Sequence, residues 1–229
     1  SLPQTAASAV RTVELIEQPH QLIDGRFISD DLATLLAPEG RLGSLIFTPL
    51  PVQTRWIIDG AFLDEVAAMA SGYELVDESD GQGVEVAIAF LDQLKIATAG
   101  AQITPIAYGN PDLAIAKELA PSELLFYFSY GAERVSFHTG RTIEIDKSYS
   151  NRKSAKISGP LRKNYTINRQ AISRLSTVVT APELELFRAR LAILLSPSIN
   201  GGLSEKFAQS AVVGVAQQRE KLRVNPGKY

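Results

Sequence analysis

Cysteine is absent from the 229 residues. Disulfides, thiolate metal sites and thiol nucleophiles are therefore excluded, while the compartment stays open. Histidine is scarce. His20 and His138 are the only two, far apart and in neither the HxxxH nor the HExxH spacing. A zinc centre would have to be mostly carboxylate, which suits zinc poorly, so no metal site is expected. There is no GxSxG elbow for a serine nucleophile. There is no GxGxxG or GxxxxGK(S/T) loop for a nucleotide, and the GQG at 81–83 follows an acidic run that would repel phosphate. No cofactor is expected. No apolar run approaches the ~18 residues that span a membrane. The opening SLPQTAASAV has neither the basic start nor the apolar core of a signal peptide.

What is present is ordinary for a globular chain: 45% apolar and 21% charged residues. The net charge of −2 conceals an asymmetry. Residues 1–146 carry 21 acidic and 8 basic side chains, whereas residues 147–229 carry 4 acidic and 15 basic. The chain divides into an acidic part, 1–146, and a basic part, 147–229, expected to pack on it as one unit.

The acidic part alternates strand and helix patterns. RTVELIEQ (11–18), TRWIID (54–59), YELVD (73–77) and QITPIAY (102–108) read as strands. Pro105 argues for an edge or irregular position in the last of these. SDDLATLLAPEGRL (29–42) reads as a helix with Ser29 as N-cap. AFLDEVAAMA (61–70) puts Phe62, Val66 and Met69 on one face and stops before Gly72. VEVAIAFLDQLKIATAG (84–100) stops at Gly100, and DLAIAKEL (112–119) starts at Asp112. Such alternation predicts parallel strands with covering helices: an α/β fold holding a partial (β/α) barrel-like sheet. About four strands are too few to close an eight-stranded barrel. Beyond residue 120 the pattern turns helical. The predicted elements are a helix over 121–140, a short strand over 141–146, and helices opening at Thr166, Pro182 and Ser204, with Gly201 and Gly202 separating the last two.

Asp59 and Asp112 each follow a predicted strand and precede a helix. In parallel α/β folds ligands bind at the carboxyl ends of strands. Two carboxylates there fit acid, base or nucleophile roles in glycosidic chemistry. They fit helix capping equally well, and capping alone accounts for both positions. Tyr108 and Asn110 belong to the same mouth. Trp56 is either a sugar-stacking face or, inside an apolar strand, core. A second candidate is KSYSNRKSAKISGPLRKNYTINR (147–169), with seven basic residues and no acid. Arg152, Lys153 and Lys156 in it are candidate contacts for an anionic polymer or lipid surface. The alternative is a solvated loop attracted to the acidic half. The stretch matches no nucleic-acid reader motif, so nucleic acid is not an expected partner.

Four stretches carry a resemblance: DDLATLLAPEGRL (30–42), RWIIDGAFLDEVAAMASGYEL (55–75), AIAFLDQLK (87–95) and ITPIAYGNPDLA (103–114). Together they resemble a family of actinobacterial cell-envelope proteins of uncharacterised activity, encoded beside the lipid II flippase. The match covers residues 24–120. The resemblance implies an extracytoplasmic, multi-domain, membrane-associated protein of which this chain is one part. It implies a barrel distantly similar to polysaccharide deacetylases and glycoside hydrolases. The implied partners are an envelope protein such as the flippase, or an anionic wall polymer. The sequence departs from the family at two places: Asn110 stands where one carboxylate is usual, and Gly60 where proline is usual. The deacetylase set of one aspartate and paired histidines is missing. These departures favour a non-catalytic binding protein on a degenerate glycan-enzyme scaffold over a hydrolase using Asp59 and Asp112.

Overall fold

The computed structural model describes residues 10–49, 53–145, 157–199 and 201–224. Alternation of buried and exposed side chains gives β1 (Arg11–Leu15), which buries Val13 and Leu15, and β2 (Thr54–Ile58), which buries Thr54, Trp56 and Ile58. β3 is Gln102–Pro105. The three strands pair in parallel in the order β1-β2-β3. Val13 sits opposite Trp56 and Trp56 opposite Ile103. The fold is therefore α/β with a parallel sheet, as the alternation predicts, and the sheet does not close into a barrel. Pro105 ends an edge strand, where its missing N–H costs no ladder bond.

Two predicted strands do not form. Tyr73–Asp77 makes only single bridges, Phe27 to Leu75 and Glu74 to Asp80. The glycine- and acid-rich turn after it folds back too soon for a ladder: Leu75 N–H donates to Ser79 O and Gly81 N–H to Tyr73 O. Residues 141–145 are irregular. There the chain turns around Arg141, whose Nη1 donates to Thr98 O and Ala101 O at 2.7 Å each.

The helices of the acidic part are α1 (Asp31–Leu36), α2 (Gly43–Phe47), α3 (Gly60–Ala70), α4 (Val84–Ala97), α5 (Leu113–Leu119) and α6 (Leu124–Thr139). Ser29 is not the cap of α1. Asp30 holds that position, and its carboxylate accepts instead from the Tyr73 hydroxyl and the Gln82 N–H. The basic part contains α7 (Gly159–Ser173), α8 (Ala181–Arg190), a 3-10 turn (Leu191–Leu195) and α9 (Gly201–Val224). α7 begins seven residues before Thr166, because Ser158 caps it and Pro160 fits its first turn. Thr166 lies inside the helix and donates its hydroxyl to Arg162 O. Gly201 and Gly202, expected to separate helices, instead form the first turn of α9.

Two apolar cores result. One gathers the covered sheet face with α1 to α4, around Trp56, Phe62, Phe90 and Leu94. The other joins both halves of the chain: Leu22, Ala61 and Tyr108 pack with Tyr165, Leu191, Ile193 and Phe207. α6 serves both, giving Val135 to the first and Tyr127 and Phe128 to the second. The two charge-segregated parts thus share a core.

Candidate functional site

β2 stops at Ile58 and α3 starts at Gly60, so Asp59 occupies the joint in extended backbone, φ −89° and ψ 123°. Its Oδ1 accepts from Ala61 N–H at 2.9 Å and from Gly109 N–H at 3.0 Å. The first bond caps α3; the second ties the end of β2 to the turn after β3. Asp59 is 2% exposed. Burial pushes its carboxyl up to about 7, against the pull of the two N–H bonds, and nearby Asp64 adds to the rise. Asp112 is the cap of α5, its Oδ1 accepting from Ala114 N–H at 2.8 Å and Ile115 N–H at 3.1 Å. Both strand-end carboxylates therefore do what helix capping requires.

Three further acids and bases at this end were not singled out by the sequence reading. Asp64 accepts from Arg134 Nε at 2.8 Å, His138 Nε2 at 2.7 Å and the Tyr108 hydroxyl at 3.0 Å. Glu65 accepts from the His20 and Gln21 N–H groups at 3.1 and 3.2 Å. Burial pushes its carboxyl up to about 8, while the His20 and Gln21 bonds and the Arg190 charge pull it down. Arg190, from the basic half, donates to Ile23 O at 2.8 Å and to Gln21 Oε1 at 3.2 Å. One sequence signal was available for Glu65: it falls three residues after Phe62 and four before Met69, on the apolar face of α3.

The mouth of the sheet is closed. A side-chain carbon at Gly60 would stand 2.8 Å from Gly131 O of α6. Gly109, at φ +73°, would bring one to 2.7 Å from Ile193 Cγ1 in the 3-10 turn. All five residues of that turn are buried. The space left beside Asp59, lined by Glu17, Glu65, Gly109 and Ile193 among others, is about 10 Å³. That is the scale of a single water and far below a sugar ring. Asp112 lines a different, larger groove, so the pair is not set across a common cleft. Trp56 is 0% exposed in the core; the alternation of β2 turns it inward, and it offers no stacking face. Tyr108 is buried with its hydroxyl on Asp64. Asn110 takes φ +47°, a left-handed turn position that asparagine tolerates.

Arg152, Lys153 and Lys156 lie outside the described residues. Among the described residues, cations of the basic half that reach the acidic half include Arg162, 3.8 Å from Glu118, Arg188, 2.5 Å from Glu123, and Arg190.

The groove touched by Asp112 has a volume of about 1050 Å³. Its floor is Leu194 to Pro197 with Ile115, and its walls are the first turns of α7 and α9. Asn168 lines it and is 2% exposed; its Nδ2 donates to Asn164 O at 2.9 Å, and its Oδ1 has no partner. No family model, no curated protein and no solved structure matches this chain.

Proposed function

We propose that this protein is a non-catalytic binding protein of the cell envelope, on a scaffold that resembles glycan-active enzymes without their working site. The observation that carries the non-catalytic reading is the state of Asp59. Its carboxylate oxygen is committed to two backbone N–H groups, and the space beside it holds at most one water. Glycosidic cleavage needs two carboxyl groups about 5–10 Å apart across a cleft wide enough for a sugar ring. The envelope setting rests on the family-like stretches in residues 24–120. Its candidate partners are an envelope protein such as the lipid II flippase or an anionic wall polymer. No helix among the described residues is long and apolar enough to cross a membrane, so membrane association would run through a partner or through chain outside the described residues.

The test is incubation of the purified chain with isolated cell-wall glycan. The expected result is no new reducing ends, in wild type and in Asp59→Asn alike. Release of reducing ends by the wild type, abolished in a folded Asp59→Asn variant, would establish the hydrolase instead. Fractionation of the native host tests the location, with the protein expected in the envelope fraction.

A further inference from the structure

We infer that Asp80–Gly81 is a covalent modification site, where the backbone converts spontaneously to an isoaspartyl link and loosens the start of α4. The site is independent of the binding reading above. The chemistry needs a carboxyl group one residue before an unhindered amide, and glycine puts no side-chain carbon beside the attacking nitrogen. The Gly81 nitrogen bonds to Asp80 Cγ. The carboxyl hydroxyl and the amide hydrogen leave together as water, and a succinimide ring closes. Water then opens the ring. Breaking the bond from nitrogen to Cγ returns aspartate. Breaking the bond from nitrogen to the Asp80 main-chain carbonyl carbon leaves the chain running through Cγ, with one extra carbon in the backbone.

The chain holds three Asp–Gly steps, at 24–25, 59–60 and 80–81, and the fold separates them. The Asp24 side chain is 1% exposed, and its two oxygens accept from Arg26 N–H at 3.2 Å and Arg26 Nη2 at 2.9 Å. Asp59 is buried and held by the Ala61 and Gly109 N–H groups. Burial favours its neutral form, the form that condenses, yet ring closure would have to break both bonds inside a closed core. Asp80 is exposed, and its carboxylate accepts no hydrogen bond among the described residues. Its backbone takes part in a single bridge to Glu74, not a ladder, and Gly81 N–H donates to Tyr73 O at 2.9 Å. Such a bond in an exposed turn opens locally without global unfolding. The glycine is demanded by packing, since a side-chain carbon at 81 would collide with the Tyr73 ring. The bonds just after this step fix the start of α4. Gln82 N–H donates to both Asp30 oxygens at 3.2 and 3.3 Å, and the Gly83 N–H, at the N-cap, donates to the Tyr73 hydroxyl at 2.9 Å. One extra backbone carbon at 80 moves both amides out of register with these acceptors.

The test is incubation of the full chain for weeks at neutral pH, folded in buffer and unfolded in guanidinium chloride. Isoaspartate is then measured by methyl transfer from S-adenosylmethionine with protein L-isoaspartyl methyltransferase, and located by electron-transfer fragmentation. Isomerisation leaves the mass unchanged, which separates it from deamidation of Asn200, a residue outside the described ones. In the folded chain the signal at Asp80 should exceed those at Asp24 and Asp59 several-fold, whereas in guanidinium chloride all three steps should react. Asp80→Glu keeps the charge and disfavours the ring, so it should abolish the folded-state signal. Aged wild type should melt at a lower temperature than fresh protein, and aged Asp80→Glu should not. A folded chain that modifies Asp24 or Asp59 as fast as Asp80 would overturn the proposal, as would an Asp80 left unmodified when folded. Isoaspartate at Asp80 with unchanged melting would overturn its effect on α4.

Discussion

Replacing Asp59 with asparagine separates the two properties that meet at this residue, its hydrogen bonds and its charge. Asparagine keeps the oxygen that accepts from Ala61 and Gly109, since both bonds end on Oδ1. It removes the ionisable group. Burial raises that carboxyl from 3.8 to about 7. A group whose folded value is raised contributes stability that is present below the unfolded value and lost as pH climbs through the folded one. At ~1.36 kcal/mol per pH unit, the loss between pH 4 and pH 8 is about 4 kcal/mol. The N-terminus of α3 favours the anion by up to ~2 kcal/mol, so the net expected loss is about 2–4 kcal/mol. Urea unfolding followed by fluorescence of Trp56, the only tryptophan and fully buried, measures it directly. Near pH 4 the variant and wild type should agree within ~1 kcal/mol, because both side chains are neutral caps. At pH 8 the variant should be the more stable by about 2–4 kcal/mol. Parallel curves across pH 4–8, or a variant less stable than wild type at pH 8, would show that the N–H bonds and the helix hold Asp59 ionised throughout. Burial would then not raise the Asp59 carboxyl.

Glu65 rises from 4.5 to about 8 for the same reason, so Asp59→Asn should retain a downward slope between pH 4.5 and 8. Adding Glu65→Gln should flatten it, and a double-mutant cycle should show the two sites coupled. Asp112→Ala removes two N–H bonds at the start of α5 and should cost ~0.5–2 kcal/mol by urea unfolding, whereas Asp112→Asn should cost less than half of that. Gly109→Ala combines a positive φ with a contact on Ile193 and should destabilise by ~1–3 kcal/mol, read as a lowered thermal midpoint. A stabilised Gly109→Ala would mean that the 3-10 turn is not packed on the strand end.

Much of this architecture is written locally. The run Thr54–Ile58, the carboxylate at 59 and the amphipathic stretch after it specify a strand, a cap and a helix from neighbouring residues alone. So do Asp112 before α5, and Ser158 with Pro160 before α7, a stronger start signal than Thr166 eight residues later. Alternation also turned Trp56 inward. These features are legible because backbone geometry repeats every two or every 3.6 residues, and side-chain burial follows that repeat. Whether the strand ends form an open site is a different kind of fact. It depends on α6 crossing at Gly60 and on Ile193 seated against Gly109, contacts between segments far apart in the chain that no periodicity encodes. Glu65 and Asp64 are likewise ordinary acids in sequence. They became anchors of buried networks only because His20, Gln21, Arg134 and His138 converge on them. The opposite charges of the two halves were visible in composition. Packing chose Arg162, Arg188 and Arg190 to bridge them, because these sit on helices whose apolar faces already bind the halves together. Desolvation then gave Asp59 its character: sequence placed it, and tertiary closure, by excluding water, made it a neutral cap near pH 4 and a strained anion above pH 7.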